Sequence, residues 1–201
     1  MSCIILVTGK TGAGKTTFAD KLIIENPSFK LFSLADKLKD LTFELLKLFK
    51  VGIKDISFLY TDSKKNYRKY LQNIGTDCCR KVFGDDFWCE MLKPKIDKAL
   101  KKNKNIVISD IRYRNEIDYF KKNYPQCNIF VVKIIREGII IDSKTQEHSL
   151  EKEVDDIDAN ITFYNDESFE EKYKTFDFLL KHFLLKLKPK VINNNDFDAT
   201  L

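Results

Sequence analysis

The sequence predicts an α/β fold in which a central parallel sheet is covered by helices on both faces. Strand-like and helix-like segments alternate along the 201 residues, which is typical of parallel sheets. The segments 106–108 and 129–132 are continuously apolar, as expected for strands that are buried on both faces. A glycine-rich loop between the first strand and the first helix narrows the prediction to a three-layer sandwich of the phosphate-loop (P-loop) NTPase type.

Each predicted element follows from its place in this alternation. The predicted strands are largely apolar runs at 3–7, 29–33, 105–109, 128–135 and 160–163. The predicted helices lie near 15–25, 35–49, 67–82, 87–102, 115–122 and 168–187. The first helix begins where the glycine-rich loop ends. Two polar or irregular stretches, 50–66 and 137–158, interrupt the alternation, and we interpret them as mobile covers over a site.

The glycine-rich loop is the most informative motif of the chain. Residues 9–16 read GKTGAGKT, and the pattern G-x-x-x-x-G-K-[ST] arises by chance in a chain of this composition with a probability of roughly 1 in 300. Backbone N–H groups of such a loop bind phosphate oxygens, Lys15 can reach the β- and γ-phosphates, and the Thr16 hydroxyl can bind Mg²⁺. The following helix N-terminus adds to the anion site. We therefore predict a phosphate-binding site; an ordinary glycine turn is the alternative.

Size and composition limit the other properties. The length fits a single domain, which we predict at 1–188, with an acceptor-side segment near 36–90, a lid near 137–158 and a flexible tail at 189–201. No apolar run reaches the roughly 18 residues that a membrane crossing needs. The odd number of cysteines, five, indicates reduced thiols and a cytoplasmic protein. The net charge of +5 comes without a basic stripe that contains aromatic residues, so we expect no nucleic-acid partner. The 25 aromatic residues leave a homodimer open.

A carboxylate and an arginine end the predicted strand 105–109. In phosphate-loop enzymes an Asp at this place holds Mg²⁺ or its water ligands, which makes Asp110 a metal candidate beside Thr16. A helix N-cap is the alternative role, and the two roles are compatible. Arg112 follows near the carboxyl ends of the strands, where open α/β sheets bind their ligands.

A second set of candidates lies on the predicted helix 67–82. Four-residue spacing puts Arg68, Gln72, Thr76 and Arg80 along one helix face. Two cations and an amide there can bind the phosphate and the base edge of a nucleotide, and a solvated face is the alternative. Gly75 argues against a straight helix and can allow a ligand to approach.

Two further candidates stand near strand ends. Asp36 lies at the start of the helix 35–49, where it can also complement the helix dipole. Arg136 follows the fourth strand and precedes the polar stretch that holds His148. An arginine on a closing segment would neutralise the charge of a transferred phosphoryl group. Asp110 is followed by Ile111 and not by a second acidic residue, which argues against a motor ATPase.

Several motifs in this order resemble the deoxynucleoside monophosphate kinases of tailed phages and large DNA viruses. They are GKTGAGKT at 9–16, ADKLK at 35–39, RKYLQNIGTD at 68–77, FGDDFW at 83–88, SDIRYRNE at 109–116 and HSLE at 148–151. The resemblance runs from about residue 4 to residue 171. It implies a nucleoside monophosphate kinase-like fold and transfer of the ATP γ-phosphoryl group to a deoxynucleoside monophosphate, with Mg²⁺. Animal-type phosphomevalonate kinases share the loop and parts of two motifs, so they are the runner-up, followed by a P-loop ATPase that is not a kinase.

The resemblance also assigns residues. It puts ATP on the loop residues Gly12, Ala13, Gly14, Lys15, Thr16 and Thr17. It puts the acceptor near Lys10, Asp36, Lys37, Arg68, Gln72 and Arg112. Lys15, Asp110 and Arg136 are then the catalytic candidates, with Arg136 on the closing segment.

Overall fold

A computed structural model describes residues 2–136 and 153–165. Its five strands are β1 (Cys3–Thr8), β2 (Phe29–Phe32), β3 (Asn105–Ile111), β4 (Asn128–Ile135) and β5 (Ile161–Tyr164). They form one sheet in the order β2-β3-β1-β4-β5, and every neighbouring pair is parallel. The predicted parallel sheet is confirmed, and the predicted strand ends are at most two residues from the observed ones.

The central strand β1 is buried on both faces because helices cover the sheet on both sides. Every residue of β1 is buried, and Ile4 pairs with Ile106 of β3 and with Ile129 of β4. Ile4 and Leu6 belong to a core cluster that also contains the buried apolar residues within 88–99 and 117–124. Ile5 and Val7 point to the opposite face and are equally buried. The edge strands β2 and β5 are only partly buried.

The helices agree with the predicted ones except in one region. They are α1 (Lys15–Glu25), α2 (Ala35–Leu48), α3 (Arg68–Gln72), α4 (Lys81–Phe83), α5 (Phe87–Leu100) and α6 (Arg114–Asn123). The predicted helix 168–187 lies outside the described residues, as do the tail 189–201 and most of the predicted lid. The proposed domain limits therefore stay predictions. In the described ranges, no helix combines the length and the apolar character that a membrane crossing requires.

The helical stretch predicted near 67–82 is present, and it is not a regular α-helix throughout. A π-helical segment (Asn73–Arg80) separates α3 from α4. Gly75 lies where this segment crosses α2 and α5: a Cβ atom there would be 2.9 Å from Leu38 Cδ2, and its carbonyl accepts a hydrogen bond from Trp88 Nε1 at 3.1 Å. The room left by the missing side chain of Gly75 is thus filled by Leu38 and not by a ligand.

The stretch 50–66, predicted as irregular, contains two 3₁₀-helices, Ile56–Leu59 and Asp62–Tyr67. Leu59 is fully buried and packs with Leu46 and Ile53 in a small cluster beside α2. Phe43, Val51, Phe58 and Tyr67 surround that cluster. The stretch therefore has an apolar core of its own, which fixes it against α2.

Candidate active site

The candidate site lies along one edge of the sheet. Because all five strands are parallel, their carboxyl ends meet at this edge, where open α/β sheets bind ligands. The glycine-rich loop follows β1, Asp36 follows β2, Asp110 and Arg112 end β3, and Arg136 follows β4. The sheet topology therefore collects at one edge the residues that the sequence marked separately.

The loop after β1 is curled around the Lys15 side chain. Gly9, Gly12 and Gly14 have φ angles of 144°, 83° and 99°, which side chains of L-residues rarely allow. Gly14 caps the N-terminus of α1, and the Ala13 N–H donates to the Lys10 carbonyl at 3.2 Å. Lys15 Nζ donates to the carbonyls of Gly9 at 2.6 Å and Lys10 at 2.7 Å. The ammonium is thus held inside the loop.

Thr16 and Thr17 are exposed in the first turn of α1, and Gly12 at the loop tip is exposed as well. The hydroxyl groups of Thr16 and Thr17 lie at the positive end of the α1 dipole. This arrangement, with glycines at positive φ, an enclosed lysine and exposed hydroxyls at a helix N-terminus, suits a bound polyphosphate.

Two neighbouring strands support the loop from behind. A Cβ atom on Gly9 would collide with the Ile134 carbonyl oxygen, and one on Gly14 would be 2.5 Å from Asn165 Nδ2. Asn165 donates from Nδ2 to the Ala13 carbonyl at 2.8 Å and from its backbone N–H to the Ile135 carbonyl at 2.6 Å. Asn165 follows β5, so the end of the sheet fixes the loop conformation. The sequence carries no signal for this contact.

Substituting Gly9 with alanine is expected to lower the free energy of unfolding by about 2 to 3 kcal/mol. The new methyl group would meet the Ile134 backbone, and alanine would be strained at φ 144°. Urea unfolding measures the effect. Gly84→Ala is the control for backbone strain alone, since Gly84 has φ 104° and open space around it. Gly52→Ala is the control that introduces neither backbone strain nor a close contact. If Gly9→Ala is as stable as Gly84→Ala, the close approach to Ile134 is not present in solution.

Asp110 connects β3 to the start of α2. Its carboxylate accepts hydrogen bonds from the Ser33 hydroxyl at 2.7 Å and from the N–H groups of Leu34 and Ala35, both at 2.9 Å. Asp110 is therefore not an N-cap residue, since it lies within β3 and Tyr113 caps the following helix; its carboxylate instead accepts the N–H groups at the start of α2. These contacts fix the carboxylate between the loop and the second strand, and they leave its role as a metal ligand a prediction.

Arg112 lies between the loop and α6. Its Nη2 is 3.5 Å from Thr11 Oγ1, and its backbone N–H donates to Glu116 Oε2 at 2.8 Å. The same oxygen accepts from the Tyr113 N–H at 3.1 Å. Glu116 therefore holds the backbone at Arg112 in place, and Arg112 extends its guanidinium towards the phosphate loop.

Arg80 does not belong to the candidate site. Its guanidinium is 6% exposed, donates from Nη1 to Glu116 Oε1 at 2.9 Å and from Nη2 to Asn115 Oδ1 at 2.8 Å, and lies 3.7 Å from the Tyr113 ring. Burial raises the pKa of Glu116 to about 7, while the Arg112 N–H and the Arg80 guanidinium lower it. The prediction that Arg80 shares a ligand face with Arg68 is wrong, because the π-helical segment changes the periodicity and Arg80 turns into the core.

Asp36 and Lys37 of α2 interact with other residues of α2, and Asp36 also interacts with Tyr60. Lys39 Nζ lies 3.7 Å from Asp36 Oδ1 and 3.7 Å from the centre of the Tyr60 ring. The Tyr60 hydroxyl donates to the same carboxylate at 3.4 Å. Lys37 Nζ is 3.5 Å from Asp40. Loss of hydration, then the charges of Asp36 and Asp40, raise the pKa of Tyr60 to about 12.

Lys64 stands among other cations. Its pKa is lowered to about 8, first by loss of hydration and then by the charges of Lys39, Arg112 and Arg68; Asp110 acts in the opposite direction. Arg68 begins α3, directly after the 3₁₀-helix that carries Lys64. Lys64 is itself exposed, and the charges of the predicted residues Arg68, Arg112 and Asp110 act on it. The sequence did not mark Lys64.

The other predicted residues have simple environments. Lys10 Nζ forms a salt bridge with Asp155 at 2.8 Å, and both side chains are partly exposed, at 42% and 57%. Gln72 is half-buried at the end of α3, and Arg136 is exposed directly after β4. His148 and the residues 137–152 of the predicted lid lie outside the described residues.

Sequence reasoning missed Lys64, Tyr60 and Asn165. Lys64 belongs to the lysine-rich stretch 50–66, where no spacing distinguishes it from its neighbours. Lys39 was part of the motif ADKLK at 35–39, so its position relative to Asp36 was available as a signal.

Comparison with known proteins identifies a family and a relative that this sequence resembles. The sequence profile of the family described as deoxynucleotide monophosphate kinase matches residues 46–176. A protein of Acanthamoeba polyphaga mimivirus, provisionally named a deoxynucleotide monophosphate kinase, is 31% identical over 195 residues. That alignment covers 85% of this chain and 92% of the viral protein.

Solved structures share the fold at low identity. Dephospho-CoA kinase from Campylobacter jejuni superposes with a TM-score of 0.53 at 16% identity, covering 93% of this chain and 100% of the other. TT1252 from Thermus thermophilus gives 0.51 at 17% identity, with coverages of 94% and 99%. These likenesses concern the fold and confirm the predicted P-loop kinase architecture. Since the family profile spans more than half of the chain and the viral relative matches most of it, the chain belongs to the deoxynucleotide monophosphate kinase family, a family of phosphotransferases.

Proposed function

We propose that this chain transfers the γ-phosphoryl group of ATP to deoxynucleoside monophosphates and so supplies diphosphate precursors of dNTPs. The observation that carries the proposal is the phosphate loop curled around Lys15 at the carboxyl edge of the sheet, with the Arg112 guanidinium at the end of β3 reaching Thr11 of that loop. A kinase with two anionic substrates needs two adjacent cationic sites. The family membership supports the same reaction.

The donor site uses the loop after β1. Gly12, Ala13 and Gly14 offer backbone N–H groups to the ATP phosphates, and Lys15 exchanges its bonds to the loop carbonyls for the β- and γ-phosphates. Thr16 and Thr17 add hydroxyl groups at the start of α1. Because the loop is already curled, little ordering is required when ATP binds.

The acceptor site lies on the β2 and β3 side of the loop. We propose that Arg68 and Arg112 bind the acceptor's phosphate and that Asp36, Lys37 and Gln72 line the space for the rest of the nucleotide. Lys10, which the resemblance also assigns to the acceptor, would have to leave its salt bridge with Asp155 before β5 to take part. Arg112 also reaches Thr11 of the loop, so it can contact both substrates. Arg136 at the end of β4 faces the transferred phosphoryl group.

Thr16 and Asp110 fit Mg²⁺ because both provide oxygen ligands, which this ion prefers. Both Asp110 oxygens already accept hydrogen bonds from the segment 33–35, and such contacts also orient carboxylates that hold a metal ion. We propose that Thr16 and Asp110 would hold the ion or its water ligands. The ion would neutralise part of the phosphate charge.

The chemical step needs positioning and charge neutralisation. An oxygen of the acceptor's phosphate attacks the γ-phosphorus, the bond from phosphorus to the bridging oxygen of ADP breaks, and ADP leaves with that electron pair. Lys15 stabilises the charge that develops on the donor side, while Arg68, Arg112 and Arg136 reduce repulsion between the two substrates. Residues 137–158 are proposed to close over the site and exclude water.

A transfer assay tests the function. The protein is incubated with ATP labelled at the γ-phosphate, Mg²⁺ and one acceptor at a time: each common deoxynucleoside monophosphate, each ribonucleoside monophosphate, or phosphomevalonate. We expect label in deoxynucleoside diphosphates. Label in phosphomevalonate alone would support the runner-up, and label released as inorganic phosphate with every acceptor would indicate an ATPase that is not a kinase.

Further properties belong to the same proposal. The protein is proposed to act in the cytoplasm on small nucleotides, with neither nucleic acid nor membrane as a partner. A homodimer is a second feature of this proposal. Exposed apolar side chains that could form its interface are those of Leu48, Phe49, Val82 and Phe83.

A further inference from the structure

Glu116, in the first turn of α6, is the one acidic side chain among the described residues that is buried, with 4% exposure. Both of its oxygens accept hydrogen bonds. Oε1 accepts from Arg80 Nη1 at 2.9 Å, and Oε2 accepts from the N–H groups of Arg112 at 2.8 Å and Tyr113 at 3.1 Å. Removing a carboxylate from water is costly unless its charge is paired and its oxygens are satisfied. This carboxylate meets both conditions, so its position is closely defined.

Capping of α6 explains only part of this arrangement. Glu116 is the third residue of the helix and Tyr113 is its N-cap, so the bond to the Tyr113 N–H is the usual one of a capping box. The Arg112 N–H precedes the cap, and the Arg80 guanidinium belongs to another segment. Neither of these two contacts is needed to begin the helix. They connect Glu116 with the end of β3 on one side and with the π-helical segment on the other.

Arg80 holds the Glu116 carboxylate from the side opposite to Arg112. Its guanidinium also donates to Asn115 Oδ1 at 2.8 Å and lies 3.7 Å from the centre of the Tyr113 ring. A planar guanidinium that is fixed by several partners orients a carboxylate more closely than a flexible ammonium does. Arg80 ends the π-helical segment that follows α3, so the carboxylate is attached to the helical stretch that carries the predicted acceptor residues of α3.

The Arg112 side chain lies at the border of the two proposed substrate sites. Its Nη2 is 3.5 Å from Thr11 Oγ1 of the phosphate loop, and in the proposed function its guanidinium also binds the acceptor's phosphate. Phosphoryl transfer depends on the placement of such a charge, since an error of about 1 Å can lower a rate about 100-fold. A contact that fixes the Arg112 backbone can therefore affect the reaction from outside the site.

We propose that Glu116, oriented by Arg80, is a positioning residue for phosphoryl transfer: it fixes the Arg112 backbone and thereby places the Arg112 guanidinium between donor and acceptor. This inference rests on the proposed kinase function and extends it to two residues outside the proposed substrate contacts. It also gives a role to Arg80, which turns into the core instead of lying on the predicted ligand face. Through this buried pair, the acceptor-side helix α3 and the phosphate loop keep a fixed relative position.

Two double variants isolate the oxygen that accepts the Arg112 N–H. Arg80→Met with Glu116→Gln removes both charges and keeps an oxygen for that N–H. Arg80→Met with Glu116→Met removes the same charges, and the new side chain has a similar length but only a weakly accepting sulfur. Replacing both members of a buried ion pair is often tolerated by a fold, whereas removing one member leaves a buried charge without its partner. The two double variants therefore differ in the hydrogen bond and not in charge.

Steady-state kinetics with ATP, Mg²⁺ and the deoxynucleoside monophosphate that the unmodified protein phosphorylates best measure the difference. Relative to the variant with Glu116→Gln, the variant with Glu116→Met is expected to lose about 10- to 100-fold in kcat/KM for the acceptor, because Arg112 is no longer held in place. Melting temperatures of both variants set an assay temperature at which each is folded.

A double-mutant cycle with Arg112→Ala separates positioning from general damage to the fold. Arg112→Ala keeps the backbone N–H that Glu116 binds and removes the guanidinium. If Glu116 acts through Arg112, the two double variants should differ in kcat/KM by less than about threefold once Arg112→Ala is added to both, since the effects of coupled residues are not additive. A role of Glu116 in the fold alone would give the same difference with and without Arg112→Ala.

Glu116→Gln alone is a second test, which decides the matter should the variant with Glu116→Met not fold. Arg80 then keeps its charge and competes for the single glutamine oxygen, and hydrogen bonds with a charged partner are the stronger ones. The Arg112 N–H would face the amide NH₂ group, so a loss of about tenfold or more in kcat/KM is expected. A folded Glu116→Gln variant with unchanged kcat/KM would overturn the inference.

The outcomes distinguish this inference from the function on which it rests. If the unmodified protein phosphorylates deoxynucleoside monophosphates but the two double variants are equally active, the inference is overturned and the function stands. The same holds if their difference persists in full with Arg112→Ala, or if Arg112→Ala itself leaves kcat/KM unchanged. If the unmodified protein phosphorylates none of these acceptors, the function itself is wrong.

Discussion

Replacing Lys15 with alanine is expected to reduce the rate of phosphoryl transfer by several hundredfold or more. Lys15 is enclosed by the loop, 9% exposed, and its Nζ is bound by the carbonyls of Gly9 and Lys10. In the proposed reaction it contacts the group on which negative charge develops. Losing such a preorganised charge costs about 3–4 kcal/mol of transition-state stabilisation, and each ~1.4 kcal/mol is a factor of ten in rate.

The measurement is a single-turnover assay at saturating ATP and acceptor, so that altered binding does not mask the chemical step. Lys98→Ala is the matched control, because Lys98 is exposed near the end of α5. The variant also removes the donor to two loop carbonyls, so its melting temperature must be compared with that of the unmodified protein. Near-normal turnover by a folded Lys15→Ala variant would disprove the assignment of the donor site.

The sheet and the loop were predictable because their causes are local in sequence. A continuous apolar run such as 106–108 predicts a buried strand. Alternation of such strands with helices predicts that the sheet is parallel. The loop motif encodes backbone geometry directly: Gly9, Gly12 and Gly14 all have positive φ angles that other residues disfavour. At these positions the residue type determines the backbone conformation, so the pattern predicted both the place of the loop and its geometry.

The acceptor side was less predictable because it depends on contacts between distant segments. Tyr60 contacts Asp36 and Lys39 of α2, and the periodicity of the stretch 50–66 does not predict these contacts. The four-residue spacing on 68–80 was misleading for a related reason. The π-helical segment alters the number of residues per turn, so Arg80 points into the core while Arg68 stays near the site.

The hydrogen bonds of Asp110 could not be predicted from its neighbours in sequence. Its place at the end of β3 was visible in the sequence, but its hydrogen-bond partners at 33–35 are brought by a different strand. These contacts also make the carboxylate rigid, which a metal-binding role would use. Local sequence therefore predicted where Asp110 lies and not what fixes it.

Arg80→Met is expected to lower the free energy of unfolding by about 3 to 5 kcal/mol, the usual cost of leaving one charge of a buried pair without its partner. Arg80 and Glu116 are 6% and 5% exposed and 2.9 Å apart. Without the guanidinium, the pKa of Glu116 rises further above the value of about 7 that burial already produces. A folded-state pKa above the unfolded one means that stability falls as the pH rises, so the deficit should be larger at pH 8 than at pH 5.

Urea unfolding of a double variant tests this explanation against simple loss of packing. Arg80→Met combined with Glu116→Gln removes both charges, and the glutamine oxygen can still accept the N–H groups of Arg112 and Tyr113. The double variant should therefore recover a large part of the lost stability and lose the dependence on pH. Lys93→Ala, which breaks the exposed pair with Asp97, should cost at most about 1 kcal/mol. If the double variant is less stable than Arg80→Met, packing against Tyr113 and not the charge of Glu116 dominates at this position.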